Sequence, residues 1–229
     1  MNKKLFVALA VLVLVAIACS TTTTTPTTTP TSLPNANPTA GTTSSNILFQ
    51  DNFSDSNGVW VHRQNAKSTM DYVGGGYHIN ITTTNLMAIS IANHPFQSNI
   101  SIEVDATKTA GPDDNYLGVI CRFQDENNFY FFTISSDGYA GIAMYKAGTM
   151  SILSGSSFES SSAVNQGAAT NHIRADCVGD TLTLYVNGTQ VTSITDSTFG
   201  SGGDAGLLAR ANGTSGVDIL FSNFVVSKP

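Results

Sequence analysis

The feature that most constrains the fold of this chain is a series of short segments in which apolar residues alternate with polar ones or run together briefly before stopping at turn residues. They are "NISIEVDAT", with Ile100, Ile102, Val104 and Ala106 on one side, "YLGVICRF", "NFYFFTIS", "GIAMYK", "HIRADCV" and "TLTLYVNGTQVTSI". A period of two marks a strand with one buried face, and no segment carries the 3.6-residue period of a helix. Asp137-Gly138 and Asn187-Gly188 read as hairpin dipeptides, since type I′ turns need positive φ at both central positions. Many short strands separated by turns must cover each other's apolar faces. The expected architecture is therefore all-β, a β-sandwich or jelly roll in which two antiparallel sheets cover each other.

The strand signals begin only after about 45 residues of different character. Lys3 and Lys4 precede an unbroken apolar run of 14 residues, Leu5 to Ala18. That is short of the roughly 20 residues a spanning helix needs and within the roughly 7–15 of a signal-peptide core. The run ends in Ala16-Ile17-Ala18-Cys19, which resembles a bacterial lipobox. On that resemblance, residues 1–18 are a lipoprotein signal peptide, Cys19 carries the lipid, and the mature chain sits on the extracytoplasmic face of a bacterial cell membrane. Two or three acyl chains suffice for stable anchoring, at about 0.8 kcal/mol per buried CH₂. Residues 19–45 are Thr, Pro, Ser, Asn, Ala and Gly, with Leu33 the one large apolar side chain after the cysteine. A segment that cannot bury enough surface to offset its ordering entropy reads as a disordered linker. Residues 46–229 are long enough for one domain with a substantial core.

Charge narrows the partners. Without Lys3 and Lys4 the chain keeps eight basic residues against 16 acidic ones, a net charge of −8. Nucleic acid is excluded as a partner, because binding it draws on clustered Lys and Arg. His62, His78, His94 and His172 lack the close pair spacing of a zinc site. The chain contains neither a Gly-x-Ser-x-Gly elbow nor a glycine-rich phosphate loop.

The stretches "GVICRFQDENNFYFFTISSDGYAGI", "NHIRADCVGDTLTLYVNGTQV", "DSTFGSGGDAGLLA" and the closing "ILFSNFVV" resemble the concanavalin A-like jelly rolls of laminin G type. They are most similar to the 3-keto-disaccharide hydrolase-like domains of bacterial surface lipoproteins, from "LFQDNFSD" onward. The shared motifs are turns and a terminal strand, so the resemblance implies the fold more than an activity. Relatives commonly hold calcium between their terminal strands, which makes Asp51, Asp55 and Asp218 candidate ligands. Such domains often end in Phe-Asp-Asn-Phe, whereas this chain has Phe221-Ser222-Asn223-Phe224. With 6–8 oxygen ligands required, no calcium and no other cofactor is expected.

For hydrolysis, Glu103 and Asp105 share a strand face and resemble the start of the Glu-x-Asp-x-Glu signature of jelly-roll endoglucanases. Ala106, Thr107 and Lys108 stand where its third carboxylate would be. Retaining hydrolysis needs two carboxyl groups roughly 5 Å apart in separate roles, and the missing partner argues against catalysis. Recognition has more support. With Ile100, Ile102, Val104 and Cys121 facing the core, parity turns Glu103, Asp105 and Arg122 outward on neighbouring strands. Pairing "GVICRF" with "NFYFFTIS" across a four-residue loop, Gln124 to Asn127, adds Phe129 and Phe131. Inward Ile142 and Met144 would add Tyr139 and Tyr145. Rings that pack on a pyranose, beside charged groups that take its hydroxyls, suit a glycan. Galectin-like jelly rolls use a similar Arg-Phe, which puts Arg122 first. The alternative leaves Arg122 paired with a carboxylate and the phenylalanines covered. Trp60, the single tryptophan, reads as a packing residue.

Cys121 and Cys177 are the two thiols left once Cys19 is lipidated, and both stand at core-facing parity. In an exported protein an even pair invites a disulfide, here between opposite sheets; two buried thiols are the alternative. The expectation is a monomeric, lipid-anchored carbohydrate-binding or adhesion module without catalysis. A glycan-processing hydrolase and a structural envelope lipoprotein are the competing classes.

Overall fold

The computed structural model describes residues 46–229; the expected signal peptide, the expected linker and Cys19 lie outside the described residues. Sixteen strands and no helix occupy them. The alternating segments become the two sheets of an antiparallel jelly-roll β-sandwich. The nine-stranded sheet runs β14 (Thr189–Thr195), β13 (Thr181–Val186), β12 (Thr170–Val178), β6 (Ile100–Ala110), β16 (Val217–Ser227), β4 (Gly76–Ile81), β3 (Ser68–Val73) and β2 (Arg63–Gln64), with β1 (Ile47–Asp51) on β16. The seven-stranded sheet runs β10 (Thr149–Ile152), β9 (Tyr139–Lys146), β8 (Asn128–Ile134), β7 (Asn115–Asp125), β15 (Gly203–Ala211) and β5 (Leu86–Phe96), with β11 (Glu159–Ser160) on β9.

The core follows from the period of two. Ile100, Ile102, Val104 and Ala106 on β6, Ile173, Ala175 and Cys177 on β12, and Leu182, Leu184 and Val186 on β13 are all fully buried. They meet Leu117, Val119, Cys121, Tyr130 and Phe132 of the opposite sheet in one cluster. Each fully buried large aliphatic or aromatic side chain contributes about 1.5–3 kcal/mol. The Cys121–Cys177 disulfide crosses this core from β7 to β12, linking the two sheets as parity and compartment implied. Trp60 is buried, and its indole N–H donates to Asp51 at 3.0 Å.

Turn chemistry divides the two hairpin dipeptides. Asn187 and Gly188 have φ of 50° and 80°, the pair of positive values a type I′ turn between β13 and β14 requires. Between β8 and β9 only Gly138 is left-handed, at 101°. There the Ser135 amide donates to the Tyr139 carbonyl and the Gly138 amide to the Ser135 carbonyl, so a four-residue loop replaces the expected tight turn. The loop between β7 and β8 is shorter than expected, because Asp125 already pairs with Asn128.

Two bulges bear on the predicted site. Phe221 and Phe224, three positions apart, both face the core. They can do so because the register of β16 against β6 shifts between Ser222 and Val225 and Asn223 takes φ 54°. The second bulge lies on β7, where Arg122 takes φ 52° and the pairing slips against both β8 and β15.

Candidate functional site

The bulge on β7 decides the fate of Arg122. Strict alternation would turn its side chain outward beside Phe129. With one extra residue in the strand, Cys121 remains in the core, Phe123 joins the outer face, and Arg122 points between the sheets with 1% of its surface exposed. Its guanidinium donates to the carbonyls of Ser98, Phe199 and Gly179. Burial pulls its pKa below the ordinary arginine value, against the opposing influence of Tyr130 and Asp180. Arg122 is thus a buried tie between three loops at one end of the sandwich, not a sugar ligand. Neither carboxylate expected to pair with it does so.

Glu103 and Asp105 are separated from Arg122 by the sandwich itself, because consecutive strands β6 and β7 belong to opposite sheets. They lie on the outer face of the nine-stranded sheet, where His172 of β12 sits opposite Asp105 in the register. The imidazole Nδ1 is 2.8 Å from Asp105 Oδ1 and Nε2 is 3.2 Å from Glu103 Oε2. Asn223, re-aimed by the β16 bulge, donates to Asp105 Oδ2 at 2.8 Å. Alongside, Arg174 bonds Asp176 at 2.9 Å and stacks 4.0 Å over the Tyr185 ring. Most polar groups of this face are partnered within the fold, the Arg174 Nε being the exception.

The calcium candidates do not converge. Asp51 receives the Trp60 indole and the Phe53 amide, and Asp218 pairs with His78. Asp51 is opposite Phe224, six residues along β16 from Asp218, or about 20 Å at roughly 3.3 Å per residue. Asp55 caps its own turn by accepting the Asn57 amide. The three cannot share one ion.

The aromatic half of the predicted site does assemble, on the outer face of the seven-stranded sheet. Phe129, Phe131, Ile120, Ala143 and Leu208 form a second apolar cluster, separate from the main core. Phe129 and Phe131 are fully buried, so they make the floor of the face rather than its contact surface. Tyr145 lies over Phe129, stacked at 5.2 Å, and Phe158 meets Tyr116 edge to face at 5.1 Å. Tyr139, 45% exposed, stands at the far end. There a cleft of about 290 Å³ is lined by Asp114, Tyr116, Asp137, Tyr139 and Phe158 among others.

A second cleft of about 270 Å³ crosses the same face. Glu126, Phe129 and Tyr145 line one end, Arg63, Asn85, Met87 and Arg210 the other, with Ile89 between them. Arg210 pairs with Tyr116, while Phe131 pairs with Ile120. The two ends therefore lie about six residues apart along the strands, a trough about 20 Å long. Arg210 is set by a relay: its Nε donates to Asn212 Oδ1 at 2.9 Å, and Asn212 donates to Asp114 at 2.6 Å. Sequence reasoning missed Arg210 and Tyr116. The alternation of Leu207, Ala209 and Ala211 inward already turned Arg210 outward, but the pairing of β15 beside β7 was not visible in the sequence.

No family model matches the chain, and no curated protein matches it by sequence. Among solved structures it is similar to the carbohydrate-binding module CBM66 from Bacillus subtilis, at 16% identity and a TM-score of 0.60 over 75% of this chain and 96% of that one. A Bacillus subtilis protein of unknown function with a galectin-like fold matches at 10% identity and a TM-score of 0.58, over 80% of this chain and 96% of the other. A xylan β-1,4-xylosidase from Bacillus halodurans matches at 10% identity and a TM-score of 0.59, over 78% of this chain but only 39% of the enzyme. At these identities the likeness is one of fold.

Proposed function

We propose that this protein is a non-catalytic carbohydrate-binding module, acting as a monomer and held on the extracytoplasmic face of a bacterial cell membrane by a lipid on Cys19. Residues 19–45 serve as the linker that carries the domain away from the bilayer. The observation that carries the reading is the apolar outer face of the seven-stranded sheet, which has Tyr145, Tyr116 and Tyr139 above a buried phenylalanine floor and polar side chains at both ends of a long trough. Flat rings pack on the apolar side of a pyranose, and rim amides and charges take its hydroxyls. The likeness to a carbohydrate-binding module over nearly all of that module's length supports it. The disulfide supports export, since such bonds persist in oxidising compartments.

Hydrolysis draws no such support. Glu103 and Asp105 share one imidazole on the opposite sheet, whereas a retaining pair must face the scissile bond from separate positions. The test is affinity electrophoresis and calorimetry against a panel of polysaccharides, run beside an assay for released sugar. Binding without release is expected; release of a mono- or disaccharide would replace this reading with the hydrolase. Mass spectrometry of the mature N-terminus should find a lipid-modified Cys19, and an unmodified thiol there would remove the anchor.

A further inference from the structure

The domain has four arginines, and they divide sharply. Arg122 is locked among carbonyls inside the fold, and Arg174 is paired with Asp176. The other two, Arg63 and Arg210, both line the trough on the seven-stranded sheet. Among the described residues neither guanidinium has a carboxylate within salt-bridge distance. Lys67 extends the same corner, since a neighbouring cleft is lined by Arg63, Lys67 and Met87 together. Glu126, at the opposite end of the trough, is the one acid lining it.

This concentration of positive charge is out of keeping with the rest of the molecule. A chain with 16 acidic residues could neutralise two surface guanidiniums readily, yet here like charges converge on one rim. The Arg210 group is also aimed: Asn212 occupies its Nε, and Asp114 fixes Asn212. The two terminal nitrogens are left as a fork, the geometry that matches a planar carboxylate with two parallel hydrogen bonds. A site built to accept such a group discriminates against its neutral analogue, because the donors are otherwise left without a charged partner.

We infer that the trough selects acidic glycans, with the carboxylate of a sugar ring on Arg210 and Arg63 and a neighbouring ring packed on Tyr145. This rests on the carbohydrate-binding reading above and names its ligand class. Two sources carry that carboxylate, a hexuronate within a polysaccharide chain and a sialic acid at a chain end. The length of the trough favours the first, since it runs on from the arginines toward Tyr145 and has room for further rings beside the charged one.

Calorimetry on the full chain tests it with matched probes: oligogalacturonate against its methyl ester, and sialyllactose against lactose. Binding of an acid form roughly tenfold or more tighter than its neutral partner is expected, with the advantage falling as salt rises. Oligogalacturonate responding alone identifies the uronate, and sialyllactose responding alone the sialic acid. In Arg210→Gln the acid form should lose most of its advantage over its neutral partner. Equal binding of acid and neutral forms would overturn the acidic-glycan inference and leave the carbohydrate-binding reading standing. No binding to any of these or to a wider neutral panel would remove both. The wild-type comparison needs no variant, so a poorly folding Arg210→Gln does not blunt the test.

Discussion

The two outer faces of this sandwich are built from strands of the same period and sequence style, yet they differ in what they leave unfinished. On the nine-stranded sheet His172 lies between Glu103 and Asp105, Asn223 completes Asp105, His78 meets Asp218, and the Thr183 and Ser193 hydroxyls bond each other. Those groups are partnered within the fold, although the buried Arg174 Nε beside them is not. The seven-stranded sheet instead exposes the edges of an apolar cluster, and its trough is rimmed by two arginines with no carboxylate partner, Arg210 of β15 and Arg63 of the edge strand β2. An apolar surface rimmed by uncommitted polar groups is what a binding face requires. The difference teaches that charge on a sheet surface is not itself a sign of function; its lack of an internal partner is.

Several substitutions sharpen or break that contrast. The largest effect should come from the seam between the sheets, which belongs to neither face. Replacing both Cys121 and Cys177 with alanine opens a loop of 56 residues and should lower stability by roughly 4 kcal/mol in the chain-entropy model, read by urea denaturation. Arg122→Met removes the buried guanidinium that ties three loop carbonyls together and should lower stability by roughly 3 kcal/mol. Glycan affinity of the folded fraction should stay unchanged. Lost affinity with unchanged stability would return Arg122 to the ligand and undo the division drawn here. Tyr145→Ala should weaken glycan binding about tenfold, equivalent to roughly 1.4 kcal/mol, by calorimetry. Glu103→Gln should have the smallest effect: under about 1 kcal/mol in stability, as for exposed ion pairs, and less than a twofold change in affinity.

Much of the sandwich was legible because alternation states which residues are buried, and the strands obeyed it at Ile100, Ile102, Val104 and Ala106. The site was half legible, and the reasons are specific. Parity correctly turned Phe129, Phe131, Tyr139 and Tyr145 to one face. It failed for Arg122 because a single extra residue in β7 reverses the face, and no sequence signal at "CRF" announces a left-handed arginine. It merged Glu103 and Asp105 with the aromatics because sheet membership is a long-range property. The chain between β6 and β7 spans residues 111–114, and a loop that short reads as readily as a hairpin as it does a crossing to the other sheet. The partnership of His172 with both carboxylates was hidden for the same reason, since β6 and β12 are neighbours in space and some 70 positions apart, with 69 between His172 and Glu103.

The central claim is that ligand binds the seven-stranded sheet and leaves the nine-stranded sheet untouched. Amide chemical-shift mapping of the isotope-labelled protein, titrated with a glycan that binds it, addresses both faces in one experiment. The account predicts progressive shifts at Tyr145 and its β9 neighbours, at Phe129, and at Leu208 to Asn212, with Glu103, Asp105, His172 and Arg174 unmoved. Shifts confined to the strand segments around Glu103, Asp105 and His172 would contradict it.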